Sequence, residues 1–275
     1  MCYNVPGTPE KTNRLRRLLM AIKYGIQLYT LRNECKTLPD IDQTLKELHS
    51  WGVRDIQVSG IGAVDWNELA KTVNKYEMKV CVTHTPFQRM IDETDKVIDE
   101  HLNLGCDCLG IGSLPSEYGR TSIEGINQFI SDLLPVAKRM NERGVHLAYH
   151  NHDFDLNLCD GRSILDRLIE DIDAELLWFI PDVAWIQIAG ENPAEYLKRM
   201  KNRVKVLHFK DYKIGGEDNP HPFTELGRGV VDLHACNETA KEMGIPYVMF
   251  EQDNNWTVNA MESCKESFRF MQTLM

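Results

Sequence analysis

The chain has 275 residues, 43% hydrophobic and 26% charged, a globular composition long enough to bury a core without crosslinks. Its net charge of −10 argues against nucleic acid as a partner, because that affinity rests on Lys/Arg contacts to phosphate. No apolar run is long enough for a membrane span, and the eight scattered cysteines contain no CxxC pair, as expected of free thiols in a reducing compartment.

The opening stretch "MCYNVPGTPEKTNRLRRLLMA" carries basic residues but only a short apolar segment, unlike a signal peptide. A cytoplasmic location is therefore expected, with residues 1–22 as an N-terminal arm that could serve the interface of a homo-oligomer. From Lys23 onward, apolar runs alternate with helix-like segments. "YGIQLYT" (24–30) precedes "DIDQTLKELHSWG" (40–52), which starts on acidic residues after Pro39 and stops at Gly52. "RDIQVSG" (54–60) precedes a helix over 65–77, and "KVCVTHT" (79–85) one over 90–105. "CLGIGSL" (108–114) precedes a helix over 122–144, and "VHLAYHNH" (145–152) one over 160–172. "ELLWFIPD" (175–182), "VKVLHFKD" (204–211) and "PYVMFEQD" (246–253) precede helices over 192–202, 231–244 and 260–275.

Continuously apolar strands belong to parallel sheets covered on both faces, and eight strand–helix units in this length predict a (β/α)₈ TIM barrel. The competing open sheet would show a glycine-rich turn after its first strand, and "YGIQLYTLRNE" has none. A single domain over 23–275 is expected.

Such barrels carry their chemistry at the C-terminal ends of the strands. Those ends supply Gln27 and Tyr29, Gln57, His84, the pair His150 and His152, Asp182, His208 and Lys210, then Glu251 and Asp253. Any one of these could simply mark where a strand meets solvent. Metal-capable side chains on four consecutive strands instead suggest a divalent metal site on rigid elements. Trp185 and Trp256, just past the sixth and eighth strands, are candidates to stack on a sugar or to pack. Gly227 and Gly229 of "ELGRGVVD" are expected to permit a tight turn, while His49, His101, His146 and His234 read as structural.

The segments "GIQLYTLR", "YHNHDF", "PDVAW", "AGENPAEYLKRMKNRVKVLHFKD", "ELGRGVVD" and "FEQD" resemble the sugar phosphate isomerase/epimerase superfamily. That superfamily has a xylose-isomerase-like barrel and includes ketose 3-epimerases, inosose dehydratase and, more distantly, endonuclease IV. The resemblance implies a metal held by His150, Asp182, His208 and Glu251, with His152 facing substrate or supporting the metal; the two histidines could exchange roles. It implies one divalent ion, Mn²⁺, Co²⁺, Fe²⁺ or Zn²⁺, and a small sugar or sugar derivative as substrate. Glu251 would be an acid/base, with His152, His84 or Lys210 as its partner, and Gln27, Trp185 and Trp256 would contact the sugar. The leading expectation is an isomerase or epimerase acting through a metal-stabilised enediolate. A lyase using the same enediolate is the alternative, because His150 stands where the epimerases have a glutamate. A phosphodiesterase and a non-catalytic sugar-binding barrel follow behind.

Overall fold

The computed structural model describes residues 21–275, so the expected arm, apart from its last two residues, and Cys2 lie outside the described residues. Eight strands carry the fold: β1 (Lys23–Gln27), β2 (Asp55–Val58), β3 (Lys79–His84), β4 (Cys108–Ile111), β5 (His146–His150), β6 (Trp178–Ile180), β7 (Val206–Phe209) and β8 (Tyr247–Phe250). All neighbours are parallel, in the order β6-β5-β4-β3-β2-β1-β8-β7. Two further parallel bridges, Phe179 with Val204 and Asp182 with His208, bring β6 to β7, and the His208 N–H donates to Pro181 O at 2.8 Å. The sheet is thus a nearly closed barrel with helices on its outside.

The helices begin where side chains can satisfy their first N–H groups. Thr37 and Asp40 form a reciprocal cap on the helix Leu38–Ser50, whose Ile41, Leu45 and Leu48 face inward at helical spacing. Asp65, Ser122, Ser163 and Asn259 cap four later helices by accepting a first-turn N–H on their side chains. The helix expected over 90–105 is two, Phe87–Asp92 and Thr94–Asn103, and the segment after β6 holds an additional helix, Val183–Ile188. Strand ends are shorter than the apolar runs: β1 stops at Gln27, and Leu28–Leu31 form a 3₁₀ turn beneath the site.

The barrel interior explains the position of the site. Val82, Cys108, Ala148, Ile180, Val206 and Met249 fill it as one buried apolar cluster. Side chains alternate along a strand, so the residue two positions further on points the same way, toward the C-terminal mouth. Those residues are His84, Gly110, His150, Asp182, His208 and Glu251. An apolar plug thereby carries a polar floor.

The loop containing "ELGRGVVD" is organised by Asp211. Its carboxylate accepts N–H groups from Tyr212, Gly227, Gly229 and Val231 at 2.9–3.1 Å. Gly227 has a φ of 79°, and a Cβ on Gly229 would come within 2.1 Å of Asp211 Oδ1, so the turn requires both glycines. Replacing Asp211 by Ala strands these buried donors. The expected result is a loss of about 3 kcal/mol, read as a lower denaturant midpoint at unchanged m. A midpoint within error of the parent would show that water replaces the carboxylate.

Candidate metal and substrate site

At the barrel mouth, one donor atom from each of His150, Asp182, His208 and Glu251 lies within 4.8 Å of all the others, and all four residues are buried. His150 Nε2 is 3.8 Å from Asp182 Oδ2 and 3.6 Å from Glu251 Oε2, too far for hydrogen bonds. His150 Nε2 and Asp182 Oδ2 are buried atoms without a hydrogen-bond partner. Orphaned donors of this kind are costly to bury unless something joins them. Donors sharing a single ion at about 2.1 Å stand about 3–4 Å apart, the range of the 3.0–3.8 Å separations that Glu251 Oε2 and Asp182 Oδ2 make with these imidazoles. Two imidazoles with two carboxylates suit Mn²⁺, Fe²⁺, Co²⁺ or Zn²⁺ better than the all-oxygen cages of Ca²⁺.

The surroundings hold the set in place. His150 Nδ1 is 3.2 Å from Gly112 O, leaving Nε2 for the cluster. Asp182 Oδ1 accepts from Ala184 and Trp185 N–H at the start of the helix Val183–Ile188, which aims Oδ2 inward. The Asp182 N–H is itself bound by Asn151 Oδ1 at 3.0 Å. Gly110 and Gly112 leave space for the His84 ring: a Cβ on either would approach it within 2.9 Å.

Lys210 is almost wholly buried, 3.1 Å from Asp182 Oδ2, 3.2 Å from Glu251 Oε2 and 3.0 Å from Asp253 Oδ2. Only the Asp253 contact is aligned as a hydrogen bond; the other two are ion pairs off the bonding axis, which is why Asp182 Oδ2 still lacks a hydrogen-bond partner. Lys210 meets Asp182 and not its sequence neighbour Asp211, whose carboxylate takes the loop N–H groups. Burial opposes ionisation of Glu251 and Asp182, but the Lys210 ammonium and the neighbouring histidines together outweigh it, holding Glu251 well below the usual carboxylate range and Asp182 below it. Burial also opposes a charge on Lys210, and the three carboxylates reverse this and raise its pKa.

The imidazoles diverge. Burial opposes a charge on His150, but the carboxylates of Asp182 and Glu251 raise it to about 9. Burial and then the neighbouring His150 push His152 down to about 3 and His84 well below its ordinary value; burial also lowers His208. A ligating His150 must be neutral, so metal uptake below pH 9 displaces a proton. The expected result is one proton released per ion, with apparent affinity rising about tenfold per pH unit up to about pH 9. Calorimetry in buffers of different ionisation heat measures this, and heats independent of the buffer would contradict it. Without metal, the raised pKa gives His150 a stabilising contribution that is complete below about pH 6.5 and lost as pH rises through about 9.

Above the cluster is a cavity of about 330 Å³ lined by residues that include Tyr29, His84, His150, His152, Lys210 and Glu251. His152 lies beyond the end of β5 but keeps an extended backbone, so it faces the same cavity as His150. Its ring stacks on Phe154 with centroids 5.5 Å apart and is 5.4 Å from Trp185. Trp185 thus backs His152 and lies 5.1 Å from Lys210 Nζ. Gln27 is fully buried and bonds the Tyr29 N–H at 3.3 Å, and Trp256 packs on the core; neither lines the cavity. His101 joins Thr83 and Val97 O inside the fold, consistent with a structural role. Residues to which sequence reasoning attached no role include Gln57, fully buried between His84 and His208, and Asp155, which binds Tyr149 Oη and the His152 N–H at 2.8 Å. A polar residue at an inward strand position was the available signal for Gln57.

A parallel eight-stranded barrel with a buried His/Asp/His/Glu set at its C-terminal mouth defines the class: a TIM barrel with a candidate metal site at the ends of its strands. The chain belongs to the xylose isomerase-like TIM barrel family, whose profile matches residues 45–274. It is similar to an inosose dehydratase of Lacticaseibacillus casei, 26% identical over 124 residues, covering 38% of this chain and 39% of that protein. The chain therefore aligns with well under half the length of that relative. Among solved structures, a sugar phosphate isomerase/epimerase from Parabacteroides distasonis superposes with a TM-score of 0.76 at 21% identity, covering 92% of this chain and 95% of the other. An L-ribulose 3-epimerase superposes with a TM-score of 0.70 at 16% identity, covering 92% and 94%. At these identities the structural likeness speaks for the fold. Among the described residues, no helix is long and apolar enough to cross a membrane, and the seven described cysteines are free.

Proposed function

We propose that this protein is a metal-dependent lyase that removes water from a keto-polyol of the inosose kind. One observation carries the choice over epimerisation: both nitrogens of His150 are committed. Nδ1 meets Gly112 O, and Nε2 points into the donor set. In the epimerases that the sequence resembles, a glutamate here serves as the second proton-transfer group, and its spare oxygen has no counterpart on His150. Proton transfer is then one-sided, as elimination permits.

His150, Asp182, His208 and Glu251 would hold the ion. When bound, it supplies Lewis-acid stabilisation for the charge that grows on a carbonyl oxygen as the adjacent carbon loses its proton. Glu251 lines the cavity and takes that proton. It then gives the proton to the departing hydroxyl, which leaves as water while the carbon–carbon double bond forms. Lys210 keeps Glu251 ionised before the reaction and makes its conjugate acid a ready donor afterwards. His152 lines the cavity and stays neutral, a ring placed to meet a substrate hydroxyl.

The test is incubation of metal-loaded protein with inososes and keto-sugars in deuterated water. An unsaturated product formed with loss of water is expected. Epimer carrying solvent deuterium, without unsaturated product, would reject elimination and return the isomerase expected from sequence. Absence of exchange or turnover across the panel would reject the catalytic reading.

A further inference from the structure

Gln57 touches both His208 and His84 through its amide. Its Oε1 is 2.7 Å from His208 Nε2, and its Nε2 is 2.9 Å from His84 Nε2. Gln57 is wholly buried, with a relative exposure of 0%, and its amide links His84 to His208 across β2, β3 and β7. An amide has one accepting end and one donating end, so the two rings it bridges cannot present the same face to it.

We propose that Gln57 is a positioning residue that locks His208 and His84 into opposite ring tautomers, so that freeing His208 Nδ1 for a metal simultaneously turns an Nδ1–H of His84 toward the substrate cavity. In the observed orientation, His208 Nε2–H donates to Oε1, and the amide N–H donates to His84 Nε2. His208 Nδ1 then carries a lone pair 3.0 Å from Glu251 Oε2, two acceptors face to face, which a shared cation reconciles. His84 carries its proton on Nδ1, beside Gly112, where it makes no hydrogen bond among the described residues and the ring lines the cavity. Turning the amide over reverses every sense at once. His208 Nδ1–H would donate to Glu251, closing the metal position, and His84 would offer a lone pair to the cavity. The amide therefore has two self-consistent states, and an ion between His208 and Glu251 selects one. This makes His84 a hydrogen-bond donor to a substrate oxygen in the loaded protein rather than a base. That consequence for catalysis rests on the function proposed above; the lock itself does not.

The experiment is ¹⁵N NMR of histidine-labelled protein, free and zinc-loaded, with the two rings assigned by single substitution. Opposite Nε2 states on His84 and His208 are expected in the metal-free protein, with both reversing together on adding zinc. Equal Nε2 states in the metal-free form, or a zinc response at His208 that leaves His84 unchanged, would overturn the proposal. Opposite states in a protein that takes up no zinc would support the lock while removing the metal reading. In Gln57→Leu the His84 response to zinc should vanish and zinc affinity fall by about 10- to 100-fold. Gln57→Glu accepts from both rings, so both should carry Nε2–H, with His208 still free to ligate and His84 unresponsive to zinc. If the leucine variant fails to fold, the glutamate variant decides: a His84 that keeps Nδ1–H there would overturn the lock.

Discussion

Replacing Glu251 by Gln should lower turnover of a keto-polyol by about 10³-fold or more, since it removes both a metal donor and the proposed proton carrier. The amide cannot take a proton from carbon or return one to the leaving hydroxyl. It also takes a negative charge away from the donor set, so metal affinity should fall. The two effects separate in single-turnover rates measured at saturating Mn²⁺, with bound metal determined on the same sample. A deep loss that persists at full occupancy supports the proton role. Turnover within about tenfold of the parent at full occupancy would move that role to another group, with His152 first in line because it lines the same cavity.

The second large effect concerns stability. Lys210 is the ammonium among three buried or nearly buried carboxylates: Asp182, Glu251 and Asp253. Removing one partner from a buried ion pair leaves charge uncompensated and typically costs about 3–5 kcal/mol. Lys210→Met should therefore lower the melting temperature of the chelator-treated protein steeply. Zinc or Mn²⁺ brings two positive charges to the same carboxylates and should recover most of the loss, so the metal-induced rise should be larger in the variant than in the parent. Thermal melts of both proteins with and without metal make the comparison. A variant that melts with the parent in chelator would mean that the carboxylates protonate or hydrate at little cost. An equal metal-induced rise in both would place the ion away from Lys210.

Much of this architecture was readable from the chain in one dimension. The apolar runs identify parallel strands, because strands buried on both faces have no polar side to show. Where such a run ends, the polar residue two positions past an inward apolar one must share its face. Val206 and His208, Met249 and Glu251, Ala148 and His150, and Ile180 and Asp182 all obey this. Closing the sheet then brings those four ends together without further instruction. Two-residue alternation puts His150 and His152 on one face but leaves their roles interchangeable; it is the structure that seats His150 in the donor set and His152 against the cavity.

Other features depended on contacts that sequence spacing does not encode. Strand Lys23–Gln27 ends in a 3₁₀ turn, which commits the Gln27 side chain to the Tyr29 N–H instead of the cavity. Asp211 adjoins Lys210 in sequence, yet neighbours on a strand point to opposite faces; it captures the loop amides while Lys210 turns to Asp182. Trp256 follows strand eight closely, but packs on the core. Gln57 meets His208 across 151 residues of chain. The sequence by itself determined the barrel, the inward face of each strand and the residue types at its mouth, since these follow from periodicity and burial. Only the tertiary structure decided how closely those donors converge, which carboxylates surround Lys210 and which rings share an amide. Those choices are made by side-chain direction and by hydrogen bonds of a few ångströms between strands far apart in the chain.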